Sequence, residues 1–122
     1  LSPLIEIATS TANNTEEARS IAIDALQSSK KIDTIFCMSD EILTGVIMAI
    51  NQLHISMPDE IAVLAISNGF KPKLTNPSIT YIVTSGAVLG EKAMETFLEV
   101  LEKGITKKTE LITSTLIEGG SI

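Results

Sequence analysis

The chain has 122 residues, 44% of them apolar, and a formal net charge of −6 from 15 acidic and nine basic side chains. That length holds one small domain, and the apolar fraction lets it bury a core. Scattered basic residues under a net negative charge argue against a surface that binds a phosphate backbone, no apolar run reaches the roughly 18 residues of a membrane span, and one cysteine cannot make an internal disulfide, which suits the cytoplasm.

The opening run LSPLIEIATST lacks a Met, a basic segment and a cleavage-like site, so it does not read as a secretory signal. Residues 4–9 read as a strand, followed by a polar break over 10–14. Asn14 with Glu17 three residues later resembles a capping box. Ala18, Ile21, Ala22, Ala25 and Leu26 then recur at helical spacing, which predicts an amphipathic helix ending near Ser28 and Ser29. Lys30 and Lys31 read as its solvated end, where positive charge suits the helix dipole.

Residues 32–68 organise the rest of the chain. They read as an apolar strand (34–38), a polar corner, an apolar helix (40–53), a turn at Met57-Pro58-Asp59-Glu60 and a second apolar strand (61–66). Both strands are continuous apolar runs, as expected for parallel strands covered on both faces. Strand, crossover helix and strand make a right-handed βαβ unit, so the predicted fold class is α/β with a parallel sheet. Ligands in such sheets sit outside the carboxyl ends of the strands. That rule singles out Ser39, Asp40, Ser67 and Asn68 as candidate ligand-binding residues.

The helix at 40–53 carries Ile42, Leu43, Val46, Ile47, Met48, Ala49, Ile50 and Leu53, more than a single apolar stripe. Either a partner subunit or the rest of a larger monomer covers the surplus. Residues 67–78 have turn composition. A strand at 79–83 follows, then a helix capped by Ser85 and stopped by Gly104. A polar linker over 106–109 leads to a last strand at 111–117.

Two readings stand for each corner. Asp40 either caps the amino end of its helix or turns a carboxylate to a ligand, and the roles are compatible. Ser67 and Asn68 either form a turn after a strand or offer neutral hydrogen bonds. Catalysis finds little support: Cys37 lies within an apolar strand and His54 follows a helix, which does not pair a nucleophile with a base. His54 is the chain's one histidine, too few for a closed zinc site. Asp59 and Glu60 share a turn, and Gly119-Gly120 lacks the strand-to-helix setting of a phosphate loop. No enzyme, metal or cofactor is expected.

The run Phe36-Cys37-Met38-Ser39-Asp40-Glu41-Ile42-Leu43-Thr44-Gly45 resembles the F-x-x-N-D-x-x-A-x-G signature of the LacI/GalR (lac-repressor-like) transcription regulators. Met57 to Val63 resembles their V-P-E-D-I-S-V, Asn76-Pro77-Ser78-Ile79-Thr80 their P-P-L-T-T, and Leu116-Ile117-Glu118 with Ser121 their closing L-I-x-R-x-S-T. These pieces fall in order over about residues 30–122.

The resemblance implies a fragment of a two-lobed, periplasmic-binding-protein-like fold. Residues 1–79 would form the distal lobe without its first strand and helix, 80–84 a hinge crossing, 85–106 a helix of the DNA-proximal lobe, and 107–122 a crossing and closing strand. It further implies a small-molecule effector, a sugar or related metabolite, in a cleft between lobes. A homodimer would form through the helix around Ile42 and Leu53, and DNA would be bound only by an absent amino-terminal headpiece. Ser39 stands where the family usually has an Asn, and Ser67 where it has an Asp that clamps ligand hydroxyls or ring nitrogens. A sugar-binding protein of an ABC transporter is the alternative, and a scaffold that no longer senses anything is a third reading. A fragment lacking neighbouring parts is expected to persist as an intertwined or face-sharing dimer.

Overall fold

A computed structural model describes residues 6–104 and 109–122. Helix α1 (Thr15–Leu26) starts where the sequence places it. The Asn14 side chain accepts the Glu17 N–H at 2.9 Å. The return arm closes on Asn13 instead of Asn14: the Glu17 carboxylate accepts from the Asn13 backbone N–H at 2.8 Å and from its side-chain amide at 3.0 Å. The helix ends at Leu26, slightly earlier than expected. Lys30 pairs with Glu6, an exposed contact of the kind that contributes little. The strand expected over 4–9 does not form at residues 6–9, and residues 4 and 5 lie outside the described residues.

Strands β1 (Thr34–Cys37), β2 (Ala62–Ser67) and β3 (Thr80–Val83) are parallel, and β4 (Thr115–Ile117) is antiparallel to β3, in the sheet order β1-β2-β3-β4. Helix α2 (Asp40–Leu53) connects β1 to β2, and its bounds match those read from the sequence. A short 3-10 turn, Lys71–Leu74, interrupts the loop between β2 and β3. Expected and observed strands otherwise agree closely, except at β4. That strand begins at Thr115, not at 111, and Leu111 is 95% exposed. Thr115 faces Val83, where β3 ends, so residues before it have no strand opposite them.

The core lies between the sheet and the α1–α2 pair. Leu43, Val46, Ala49 and Ile50 of α2 pack with Ala22 of α1 and with Cys37, Val63, Ala65 and Tyr81 of the strands. Gly45 lets the helices approach: a Cβ there would sit 2.7 Å from the Ala18 Cβ and 2.8 Å from the Arg19 backbone nitrogen. Most of the apolar surplus of α2 is therefore covered within the chain, by α1 and the sheet. Met48 remains 41% exposed.

Coverage of both sheet faces, expected from the continuous apolar runs, is corrected by the structure. Residues alternate along β2 between buried (Val63, Ala65, Ser67) and half-buried (Ala62, Leu64, Ile66), and Phe36 on β1 is 46% exposed. Helices cover one face only. Helix α3 (Gly86–Lys103) is capped by the Ser85 hydroxyl, which accepts the Val88 N–H at 3.3 Å, and ends at Gly104 with φ of 64°. None of its residues is buried.

The closing segment binds the sheet where β2 and β3 begin to pair. The buried Ser121 hydroxyl donates to the Val63 carbonyl at 2.6 Å and accepts the Thr80 N–H at 2.9 Å. The Val63 N–H donates to the Ser121 carbonyl, and the Gly120 N–H to the Ser78 carbonyl. Gly119 lies against the backbone of Ser78 and Ile79, with no room for a Cβ. The Gly119-Gly120 pair thus serves close packing.

Candidate ligand site

The carboxyl ends of β1 and β2 bring all four sequence-predicted residues together. Register alternation points Ser67, like Val63 and Ala65, toward the helical layer, where the first turn of α2 begins. Ser39 caps that helix, its hydroxyl accepting the Ile42 N–H at 3.3 Å. Capping by Asp40 is thereby corrected. Asp40 is the first helical residue, and its carboxylate reaches across to the neighbouring corner. Its Oδ1 accepts from the Ser67 hydroxyl at 2.5 Å, and its Oδ2 from the Asn68 backbone N–H at 3.1 Å. A carboxylate accepting two hydrogen bonds in this way makes stronger bonds than a neutral acceptor would, and here it clasps the two corners into one wall.

The second corner is a tight turn. The Ser67 hydroxyl oxygen accepts the Gly69 N–H at 2.9 Å, and the Asn68 side-chain oxygen accepts the Phe70 N–H at 3.1 Å, the local bonding by which Ser and Asn build turns. Gly69 adopts φ of 95°, open to glycine at little cost, and a Cβ there would lie 3.0 Å from the Tyr81 hydroxyl. Ser67 and Asn68 form the turn; Ser67 is buried with its hydroxyl bonded to Asp40 and Gly69, and Asn68 stands exposed at the surface. Phe70, 65% exposed, and the exposed Lys71 and Lys73 follow it along the chain. Sequence reading gave these three no role. Their signal is placement alone, one turn beyond a strand end.

Residues set aside at the sequence level have structural explanations. Cys37 is fully buried, and burial pushes its thiol up to about 12, which makes it a core residue and not a nucleophile. His54 adopts φ of 55° and ends α2, its N–H donating to the Asn51 and Ile50 carbonyls. Glu60 accepts the Ser56 N–H at 2.9 Å, closing the turn before β2. Among the described residues no group of three or more His, Cys, Asp or Glu side chains is placed to hold a metal, and no helix is long and apolar enough to cross a membrane. A shallow hollow of about 340 Å³, lined by Leu26, Lys31, Ile32, Ile55 and Glu60 among others, lies at the opposite end of the strands. It contains none of the four residues.

Polar corners at the carboxyl ends of adjacent parallel strands are where sheets of this α/β class hold ligands. The chain belongs to the periplasmic binding protein-like domain family, whose model matches residues 3–122. It is 29% identical over 93 residues to the HTH-type transcriptional repressor PurR of Glaesserella parasuis, a match covering 76% of this chain and 27% of that protein. The chain thus spans about a quarter of the length of that relative. Among solved structures it is similar to a LacI family transcriptional regulator from Arthrobacter sp. FB24 in complex with lactose, with a TM-score of 0.73, 20% identity and coverage of 89% of this chain and 42% of that one. A LacI family regulator from Enterococcus faecium with bound ribose gives a TM-score of 0.73, 17% identity and coverage of 91% and 41%. At these identities the structures establish the fold, which is that of the LacI-like, periplasmic-binding-protein-like effector domains.

Proposed function

We propose that this chain is the effector-sensing part of a LacI-type bacterial transcription regulator, and that Ser39, Asp40, Ser67 and Asn68 form one wall of its ligand cleft. The observation that carries this reading is the clasp of Asp40 onto Ser67 and Asn68, which fixes two strand-end corners side by side where α/β sheets bind ligands. Relatives that are regulators favour this function over the sugar-binding protein of a transporter. They also favour a non-enzymatic role.

In this reading residues 1–79 belong to the lobe distal from DNA, 80–84 and 107–122 to strands crossing between lobes, and 85–106 to the proximal lobe. The uncovered sheet face around Phe36 and the exposed side of α3 are surfaces that the remainder of such a two-lobed protein would meet. A homodimer would use what α1 leaves free on α2, centred on Met48 and Ile47. The effector acts by binding one arrangement of the lobes better than the other, which couples it to DNA held by a separate headpiece.

The test is fluorescence anisotropy of the full-length protein on DNA from upstream of its own gene, with sugars, sugar phosphates and nucleobases added in turn. One compound should change DNA affinity by roughly 5- to 150-fold, the range of a coupling of about 1–3 kcal/mol. Unaltered DNA binding with every compound, together with no calorimetric sign of ligand, would leave a scaffold and not a sensor.

A further inference from the structure

Of the chain's asparagines, Asn68 alone precedes a glycine; Asn13, Asn14 and Asn51 precede larger side chains, and Asn76 precedes Pro77, which has no N–H. The nitrogen of a following residue attacks an asparagine carboxamide most readily when no Cβ obstructs its approach, and glycine has none. The turn after β2 adds three features that such an attack needs. First, the Asn68 carboxamide curls back over the Gly69 peptide, because its oxygen accepts the Phe70 N–H at 3.1 Å. That bond also draws charge from the carboxamide carbon and stabilises the negative oxygen of a tetrahedral intermediate. Second, the Gly69 N–H donates to the Ser67 hydroxyl at 2.9 Å, and that hydroxyl donates to Asp40 Oδ1, so the amide proton has a route to a carboxylate. Third, Asn68 is exposed, which admits water.

The geometry points to a self-modification site, at which Asn68 cyclises onto Gly69 and opens to aspartate or isoaspartate. The Gly69 nitrogen bonds to Asn68 Cγ and gives up its proton through Ser67 toward Asp40. The Cγ–Nδ2 bond breaks, and the leaving nitrogen takes up a proton and departs as ammonia. Water then opens the five-membered imide. Cleavage between the nitrogen and Cγ gives aspartate, and cleavage between the nitrogen and the main-chain carbonyl carbon gives isoaspartate, with one more carbon in the backbone. Nothing is oxidised or reduced. Either product puts a new carboxylate on the residue whose N–H bonds Asp40, and the longer backbone of isoaspartate shifts the Gly69 N–H away from Ser67. This chemistry does not depend on the sensing function proposed above, but it marks with age the corner assigned there to ligand.

The test is peptide mapping by mass spectrometry of the full-length protein aged at neutral pH, in buffer and in guanidinium chloride strong enough to unfold it. Residue 68 should show the mass gain of an amide-to-acid change in two products separable by chromatography. Conversion should run at least threefold faster in the folded protein than in the unfolded one. Conversion that is equal or slower when folded means that the turn shields the amide, and overturns the proposal. Ser67→Ala keeps the Asn68-Gly69 pair but removes the proton's route, and should slow folded-state conversion at least tenfold; Ser67→Thr, which keeps a hydroxyl, should restore it. A folded Ser67→Ala variant that converts as fast as the unchanged protein also overturns the proposal. If that variant does not fold, the comparison in guanidinium chloride decides alone.

Discussion

Asp40 shows how a single residue takes its role from a partner far off in sequence. Its position after a strand reads as a helix cap, yet the neighbouring Ser39 caps and Asp40 is free to bond Ser67, 27 positions on. Ser67→Ala removes the hydroxyl that donates to Asp40 and accepts from Gly69, inside a buried site. It should destabilise the chain by about 1.5–3 kcal/mol, the range for bonds to charged groups, measured by urea denaturation. Ser39→Ala, which removes only a cap, should cost about 1 kcal/mol. At the amino end of α1, hydrogen bonds from the Asn13 backbone and side chain hold the fully exposed Glu17 carboxyl below its ordinary value of 4.5. A depressed folded-state value means the contribution is complete above pH 4.5 and disappears as pH falls through the lowered value. Amide chemical shifts of Asn13 should therefore move below pH 4.5, and Glu17→Gln should abolish the movement. The caps at Asn14 and Ser85 were legible because their partners lie within four positions; Asp40 was read as a cap in place of Ser39 because its own partners lie 27 and 28 positions away.

The helix pair α1–α2 depends on Gly45 for its closeness. Within a helix, Ala is favoured over Gly by up to about 1 kcal/mol, so Gly45→Ala would stabilise an isolated α2. In the folded chain the added carbon meets the Thr15 carbonyl and the Ala18 Cβ, where backbone cannot give way cheaply. Overpacking of this kind costs typically about 1–3 kcal/mol, and a lowered midpoint in thermal unfolding is the expected outcome. The limits of α2 were readable from its apolar spacing and those of α3 from Ser85 and Gly104, whereas Ser39 as the cap of α2 was not. Where β4 begins was not readable, because it depends on β3 stopping at Val83 and not on anything in residues 111–114. One-sided cover of the sheet was equally hidden. The sequence of β1 and β2 is suited to two apolar faces, and only the arrangement in space shows that the helices of this segment occupy one.

For the whole molecule, the distribution of burial divides the chain. The sheet and the α1–α2 pair share one core, while α3 has no buried residue and exposes Phe97, Leu98 and Leu101 at 56%, 50% and 64%. Few buried contacts predict low local stability. In hydrogen exchange of this 122-residue chain, amides of α3 should exchange much faster than those of α2. Exposed apolar patches also favour association. The isolated chain is expected to sediment as a dimer at micromolar concentration, and Phe97→Ser with Leu101→Ser to shift it toward monomer; a monomer in the unchanged chain would sink the expectation.

Ser121 fastens β2 to β3 at Val63 and Thr80, 58 and 41 positions earlier. The ribosome makes those strands long before the residue that joins them. During synthesis the junction therefore lacks both the hydroxyl bridge and the Gly119–Gly120 backing, and buried polar groups of Val63 and Thr80 must wait in water or find other partners. Unpaired strand edges of this sort are where nascent chains aggregate. A ribosome stalled just short of Ser121 would display a sheet with its fastening still unmade.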